Sequence, residues 1–295
     1  VPKQIDIPTN VGFTNSNFKL VRAVSVAASP FSGKYRTQEY DMVYWTGNVS
    51  LPPMRRADAV EWQAFFLDLV GTRNYFLFND PDSKVPRGTN SGGYLFGEVR
   101  VNSGVQVTSV TLSFSGSTIT AGTAIFDGLV AGEYITVSGA NNEDNNGTFK
   151  ITTKTSNTVV VVDHNLTTEA GTTACKVRQN VKGSTALTLE ASSDSATGTI
   201  KKGDYLAIYD GSTTSSNPIQ LVMATADVSP QVLSGRDSYN IPIQPKLRQA
   251  ITAGTVIGFS SSYNKSKFRL TNPVVEWDAN NVSTYGLSFE FIEVI

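Results

Sequence analysis

Only one stretch of this chain has the apolar spacing of a helix, and that limits its fold more than any other feature. Between Arg55 and Leu69 the apolar side chains fall at Ala59, Trp62, Phe65, Phe66 and Leu69, while Arg55, Arg56, Asp58, Glu61 and Asp68 take other faces. The i, i+3, i+4, i+7 spacing predicts a helix with one buried face. Pro52-Pro53 stops the strand before it, and Gly71 stands where a C-terminal cap is expected. The rest reads as strands. The fold class expected is therefore mainly β: a split β-sandwich core with one packed α-helix, plus an inserted small all-β barrel or sandwich.

The strand signals fall into three zones. Before the helix, residues 18–24 and 40–45 alternate in part, the second running on to Leu51; after it, Tyr75-Phe76-Leu77-Phe78 reads as a buried strand ended by the turn Asn79-Asp80-Pro81-Asp82. From about 103 to 181 aromatics thin out and Thr, Val, Gly and Asn dominate, with short β runs at 107–114, 134–137, 149–153, 158–162 and 175–177. From 182 the strands continue to the alternating run Tyr285 to Ile295, expected to be one terminal half-buried strand about eleven residues long that pairs within a sheet. The division expected is 1–102 and 182–295 as two parts of a split core, with 103–181 inserted. Gly132-Glu133-Tyr134 and Gly203-Asp204-Tyr205 each place a glycine and an acid before an alternating strand, which reads as shared turn chemistry rather than a repeat.

Composition then narrows the chemistry. Charged residues make up 17%, below the usual quarter, and 24 Lys+Arg against 25 Asp+Glu leave a formal net charge of −1. Nothing overall draws such a chain to nucleic acid or an anionic membrane. One cysteine, Cys175, excludes an intrachain disulfide, and with one histidine, His164, it excludes a zinc site needing two or more His/Cys ligands. No apolar run approaches the roughly 18 residues of a spanning helix, and no leader pattern opens the chain. A soluble protein made in a cytoplasm, with no membrane insertion by this chain, is the expectation.

Each candidate for chemistry has a plainer reading that outweighs it. His164 follows the 158–162 run and reads as a solvated turn residue, with no Gly-x-Ser-x-Gly elbow in the chain to serve it. Cys175 reads as a small buried apolar residue on a strand. Asn142-Glu143-Asp144-Asn145-Asn146-Gly147 imitates the start of a calcium loop, but position twelve is Thr153 where a bidentate Glu belongs, and Asn146-Gly147 signals a hairpin turn instead. Asp80, Asp82, Glu290 and Glu293 carry no glycosidase motif. The basic groups Arg55-Arg56, Lys201-Lys202 and Lys265 to Arg269 are short and scattered, unlike a phosphate-tracking stripe. Trp45, Trp62 and Trp277 read as core or interface. No catalytic, cofactor-binding or metal-binding residue is assigned, no cofactor is expected, and the chain is expected not to be an enzyme.

Three stretches together resemble a known family. Tyr44-Trp45, the run from Val49-Ser50-Leu51-Pro52-Pro53-Met54-Arg55-Arg56 through Trp62 and Phe65-Phe66, and Phe76-Leu77-Phe78-Asn79-Asp80-Pro81 are similar to the N-terminal half of distal tail proteins of long-tailed bacteriophages. Lys202-Gly203-Asp204-Tyr205-Leu206, Ile243-Gln244-Pro245-Lys246-Leu247-Arg248 and Ala253-Gly254-Thr255 resemble the C-terminal half, as do Phe268-Arg269-Leu270, Val275-Glu276-Trp277-Asp278 and Tyr285 to Glu290. The 103–181 segment looks like a small β domain that recurs in phage structural proteins, inserted where a minimal distal tail protein joins its halves directly.

The resemblance implies a non-enzymatic virion protein of the tail tip, assembled in the host cytoplasm. It implies a homo-oligomeric ring, commonly a hexamer, joining the tail tube protein to tail-tip hub or fibre proteins, with phage DNA passing through without specific binding. A neutral or acidic channel lining is expected on the ground that many phosphate contacts would retard DNA, with the 103–181 segment pointing outward. Strand edges such as 285–295 are candidates for cover by a neighbouring copy. The rival reading is a carbohydrate-binding, adhesin-like β module for host receptor recognition, using Tyr94 and Phe96 near the 83–93 loop to stack on sugars; a weaker third is a glycan-degrading tail enzyme using carboxylates.

Overall fold

The computed structural model describes residues 1–295 except 30, 84, 90–93, 98–106, 192–197, 213–216, 234–235, 274–277 and 280–283. It is mainly β, with one α-helix among the described residues. The expected Trp277 core position and part of the 83–93 loop lie outside the described residues.

In chain order the elements begin with two long strands, β1 (Asn15–Ala28) and β2 (Tyr35–Ser50). A two-residue β3 (Met54–Arg55) leads into α1 (Arg56–Asp68), followed by β4 (Phe76–Phe78) and β5 (Tyr94–Gly97). Next come β6 (Val107–Ala121), β7 (Tyr134–Ser138), β8 (Gly147–Lys154) and β9 (Val159–Arg178). Then follow β10 (Ala186–Ala191), β11 (Tyr205–Tyr209), β12 (Pro218–Ala224), β13 (Gln231–Leu233) and β14 (Arg236–Gln244). The chain closes with β15 (Val256–Gly258), β16 (Ser266–Leu270), β17 (Asp278–Ala279), β18 (Thr284–Gly286) and β19 (Ser288–Glu293).

The chain divides into two compact units: Val1–Val85 with Asn217–Leu221 and Asn264–Ile295, and Pro86–Ser216 with Val222–Tyr263. These boundaries differ from the 1–102, 103–181, 182–295 division read in the sequence. The segment 107–178 does form a barrel with its own apolar core, but it clusters with 182–216 and 222–263.

The first unit holds a five-stranded sheet in the order β1-β2-β19-β16-β4. Alternation along β2 buries Val43, Trp45 and Val49 on one face. The face of α1 read from the sequence is the buried one, with Ala59, Trp62, Phe65, Phe66 and Leu69 all removed from water. Trp62 packs on Phe289 of β19 with ring centroids 6.2 Å apart, and its indole Nε1 donates to Asn10 Oδ1 at 3.1 Å. Phe65 meets Phe76 at 5.5 Å, and Phe78 meets Phe291 at 5.1 Å, so helix and sheet share an aromatic core. The helix ends one residue earlier than the Gly71 cap suggests. Leu69 is the C-cap, and the chain turns through Val70 and Gly71, both at positive φ.

Gly47 sits where β1, β2 and β19 converge. A Cβ there would lie 2.0 Å from the carbonyl oxygen of Asn17 and 2.8 Å from the Phe291 ring, so only glycine lets Phe18 and Phe291 meet, at 5.5 Å. The C-terminal run departs from the sequence reading. It breaks at Leu287 into β18 and β19, and β19 pairs with β2 on one side and β16 on the other. It is an interior strand, so the expectation that this edge awaits a neighbour is corrected.

The second unit holds a seven-stranded sheet, β10-β5-β15-β11-β12-β14-β13, and the barrel. β11, read in the sequence as an alternating strand, is buried at all five positions, so both of its faces are covered. In the barrel, β6 pairs with β9, β9 with β7, β7 with β8, and β8 again with β9, closing a barrel of six strand segments because β6 and β9 bend and each serve twice. Gly116 in β6 and Gly171 in β9, both at positive φ, lie within these bent strands. Leu112, Phe114, Ile119, Phe126, Ile135 and Ile151 fill the interior.

The 158–162 and 175–177 runs are thus the two ends of one strand of 20 residues, not separate strands. The residues between them are mostly exposed and polar, which hid the continuity.

The two Gly-acid-Tyr stretches are the same device built twice. Gly132 and Gly203 both have φ near +95°, at 97° and 94°. Glu133 accepts from the Val130 backbone N–H at 3.0 Å, and Asp204 from that of Lys201 at 2.8 Å, each bond reaching three residues back. Each acid is buried and ties a tight turn to the strand that follows.

Candidate functional site

The residues singled out for chemistry occupy structural positions. His164 is exposed in the middle of β9, with its ring 5.7 Å from Phe149, so it is solvated as expected but lies on a strand and not in a turn. Cys175 is buried, and its Sγ lies 3.5 Å from the carbonyl oxygens of Gly139 and Thr172. Burial raises its pKa, with the Glu169 charge adding to the shift, so the thiolate that a nucleophile needs is disfavoured.

Asn142 to Gly147 is organised around a carboxylate. The Asn141 and Asn142 backbone N–H groups donate to Glu169 at 2.8 and 3.1 Å, Asn145 Nδ2 donates at 2.9 Å, and the Thr172 hydroxyl donates as well. Burial pushes the Glu169 pKa up, but these donors outweigh it and hold the carboxyl at about 2. Asn145 and Asn146 spend their oxygens on the Thr167 and Ala140 backbone N–H groups, at 2.9 Å each. The segment is the connection of the β7–β8 hairpin, with a short 3₁₀ turn at Glu143–Asn145. Asn146 itself is extended, at φ −99°, so the expected Asn-Gly tight turn is not what reverses the chain. Among the described residues no group of three or more His, Cys, Asp or Glu is placed to hold a metal.

Three of the four carboxylates weighed for glycan cleavage, Glu293, Glu290 and Asp80, are engaged too. Glu293 is buried and accepts from the Trp45 and Leu221 backbone N–H groups and from the Ser266 hydroxyl, at 3.1, 3.2 and 3.1 Å. Glu290 accepts from the Thr271 hydroxyl, and Asp80 caps its own turn at the Asp82 N–H. Lys201 pairs with Asp227 at 2.9 Å on the surface.

The proposed sugar platform is half-buried. Tyr94 packs edge-on against Phe96 at 5.7 Å and against Tyr263 at 5.8 Å, with interplanar angles of 76° and 86°. Three rings set at right angles do not make one flat stacking face. A cleft of about 180 Å³, flanked by Tyr134 and Lys150 on one wall and Asp227, Gln231 and Asn240 on the other, is smaller than the roughly 300–1,000 Å³ of ordinary small-molecule pockets.

What stands out instead is a ribbon that alternation alone did not reveal. β1 is the edge of the five-stranded sheet, and β19 pairs with β2 only from Thr46 to Ser50. Beyond a bulge between Arg22 and Val24, β1 and β2 continue as a two-stranded hairpin pairing Val24 with Glu39 through to Ala28 with Tyr35. The tip is tied by Ser29 N–H to Lys34 O at 2.9 Å and by Gly33 at φ 64°. Among the described residues no third strand covers either side of this ribbon.

Its apolar side chains lie open: Val26 is 59% exposed, Phe31 99% and Tyr35 75%, with Val24, Tyr40 and Met42 also exposed. Among the described residues, half of the large exposed apolar side chains belong to this one hairpin. A lone two-stranded hairpin is marginal in water, and among the described residues nothing covers either edge of this one. Among the described residues no helix is long and apolar enough to cross a membrane. Comparison with models of protein families and with curated proteins finds no match to this chain.

Proposed function

We propose that this chain is a non-enzymatic structural subunit of a bacteriophage tail tip, a ring-forming distal tail protein of six copies that joins the tail tube to the adsorption apparatus. Two lines support the reading. The sequence blocks that resemble distal tail proteins, from Tyr44 to Pro81, fall on β2, α1 and β4; Phe65 of α1 packs on Phe76 of β4, Phe76 on Phe78, and Trp45 of β2 joins Phe78 through Phe18. The observation that carries the reading is the β1–β2 ribbon, an open strand pair bearing exposed Val24, Val26, Phe31, Tyr35, Tyr40 and Met42, which is a surface suited to assembly.

In this reading the partners are further copies of the chain, the tail tube protein on one side and hub or fibre proteins on the other. DNA passes through the ring without specific contacts, and the protein resides in the virion. Symmetry-resolved imaging of intact tails tests it: six copies in a closed ring at the tail tip are expected. A single copy per tail, or a channel lined with Lys and Arg, overturns it.

A further inference from the structure

We infer that the small cleft in the second unit, between the β7–β8 hairpin and strands β13 and β14, binds one neutral polyhydroxylated ring, a single hexopyranose unit. Such a site operates whether or not the chain forms a ring.

The protein leaves several polar groups unused on one side of this cleft. Among the described residues neither polar atom of the Asn240 amide has a hydrogen-bond partner, although both are buried. The same holds for the buried hydroxyl of Ser238, two residues earlier on the same face of β14. Gln231 stands directly across from Ser238 in the β13–β14 register, and its amide makes no hydrogen bond among the described residues. Native folds rarely leave a buried amide unpaired. Asn240 and Gln231 both line the cleft, so the missing partners can enter from there.

The opposite wall is set by strand pairing. Tyr134 and Lys150 face each other in the β7–β8 register, so their side chains share one face of that hairpin. The two walls meet at Gly132, where a Cβ would lie 2.8 Å from Gln231 Nε2. Asp227 also lines the cleft, its carboxylate held by the Lys201 ammonium at 2.9 Å and the Lys202 N–H at 2.8 Å.

These groups select the ligand. An amide needs an acceptor for its N–H groups and a donor for its oxygen. An anion serves only the first and a cation only the second, whereas each hydroxyl of a sugar does both. Lys150 and Asp227 balance in formal charge, which favours a neutral ligand over a charged one. Tyr134, half-buried, adds an apolar ring with a polar tip, suited to the face and the hydroxyls of a pyranose. At about 180 Å³ the cleft lies below the range of drug-sized ligands, so one ring fits where a chain of rings does not. Lys150, Asp227 and Gln231 are exposed, which leaves the ring free to be a soluble sugar or the terminal unit of a longer glycan.

The test is saturation-transfer NMR on the full chain. The probes are free neutral hexoses and N-acetylhexosamines, each up to tens of millimolar, and a purified bacterial surface polysaccharide. Saturable binding of at least one free ring is expected, with no displacement by inorganic phosphate or acetate. Asn240→Leu and Gln231→Ala should each weaken it by about tenfold, the loss of a hydrogen bond to a neutral partner. The thermal unfolding midpoint of Gln231→Ala should stay within experimental scatter, because the side chain is exposed.

Polysaccharide binding that the free ring competes away assigns the source to a surface glycan, and binding of free rings alone assigns it to a soluble sugar; either supports the site. No saturation transfer from any ring, displacement by phosphate, or binding that both variants keep would overturn it and leave the tail-tip reading standing. If Asn240→Leu fails to fold, Gln231→Ala still decides.

Discussion

The barrel at 107–178 and the far end of the β1–β2 pair, the ribbon at 24–39, both belong to long strands with register shifts, yet one closes on itself and the other does not. In the barrel β6 and β9 bend and re-pair until the sheet closes around a dry interior. In the ribbon the pair runs past a bulge and beyond the residues that β19 reaches, and nothing among the described residues covers it. The difference is one of partners, not of strand quality. Apolar side chains that reach an interior hold the chain together, and those that reach solvent add little to its stability.

The sharpest way to break the contrast is to empty the barrel. Phe126 is fully buried, so Phe126→Ala should cost about 3–5 kcal/mol, read from the urea unfolding midpoint. Phe31→Ala, at the tip of the ribbon and almost fully exposed, should move the same midpoint hardly at all. Equal effects at the two sites would mean that the ribbon is not the uncovered element described.

The root of the ribbon should be nearly as sensitive as the barrel. Gly47→Ala places a methyl 2.0 Å from the Asn17 carbonyl oxygen and forces β1 and β2 apart, a cost of about 1–3 kcal/mol by the same measurement. No loss of stability would show that the sheet relaxes there freely.

Acid should loosen the barrel through Glu169. Its folded pKa of about 2 lies below the ordinary 4.5, so the native state favours the charged carboxylate. The stabilisation is fully present above about 4.5 and is lost as pH falls through about 2. Thermal melts across that window should show the loss, and Glu169→Gln should flatten it. An unchanged pH profile in the variant would assign the acid sensitivity elsewhere.

The smallest effect is expected on the ribbon's own face. Val26→Thr should change monomer stability by no more than about 0.5 kcal/mol, because the side chain already stands in water. A larger loss in chemical unfolding of the dilute protein would show that Val26 is packed within its own copy.

Much of the fold was legible without coordinates, and the reasons are local. The spacing of Ala59, Trp62, Phe65, Phe66 and Leu69 records which side of a helix is dry, and that side is the buried one. Glycine followed by an acid before a strand encodes a turn whose carboxylate satisfies its own backbone, which is why the two stretches at 132 and 203 fold alike. The candidate chemistry was legible in the same way: Cys175 on a strand with apolar neighbours is buried, and a calcium-like run without its twelfth ligand turns its oxygens on the backbone. The ribbon was missed because Val24, Val26, Tyr40 and Met42 have the residue types of a buried strand.

The sequence by itself determined the class of the protein: one helix and where it lies, strands nearly everywhere else, and turns at glycine-acid and Asn-Asp-Pro stretches. Each of these depends on side chains within a few positions of one another, and periodicity carries that information. Only the tertiary structure decided that 158–162 and 175–177 are ends of one strand, that β19 lies between β2 and β16, and that β1 ends its sheet. Strand pairing joins residues hundreds of positions apart, as Ser50 joins Ser288. Whether an apolar strand is core or surface depends on the partner it finds there, which no local pattern records.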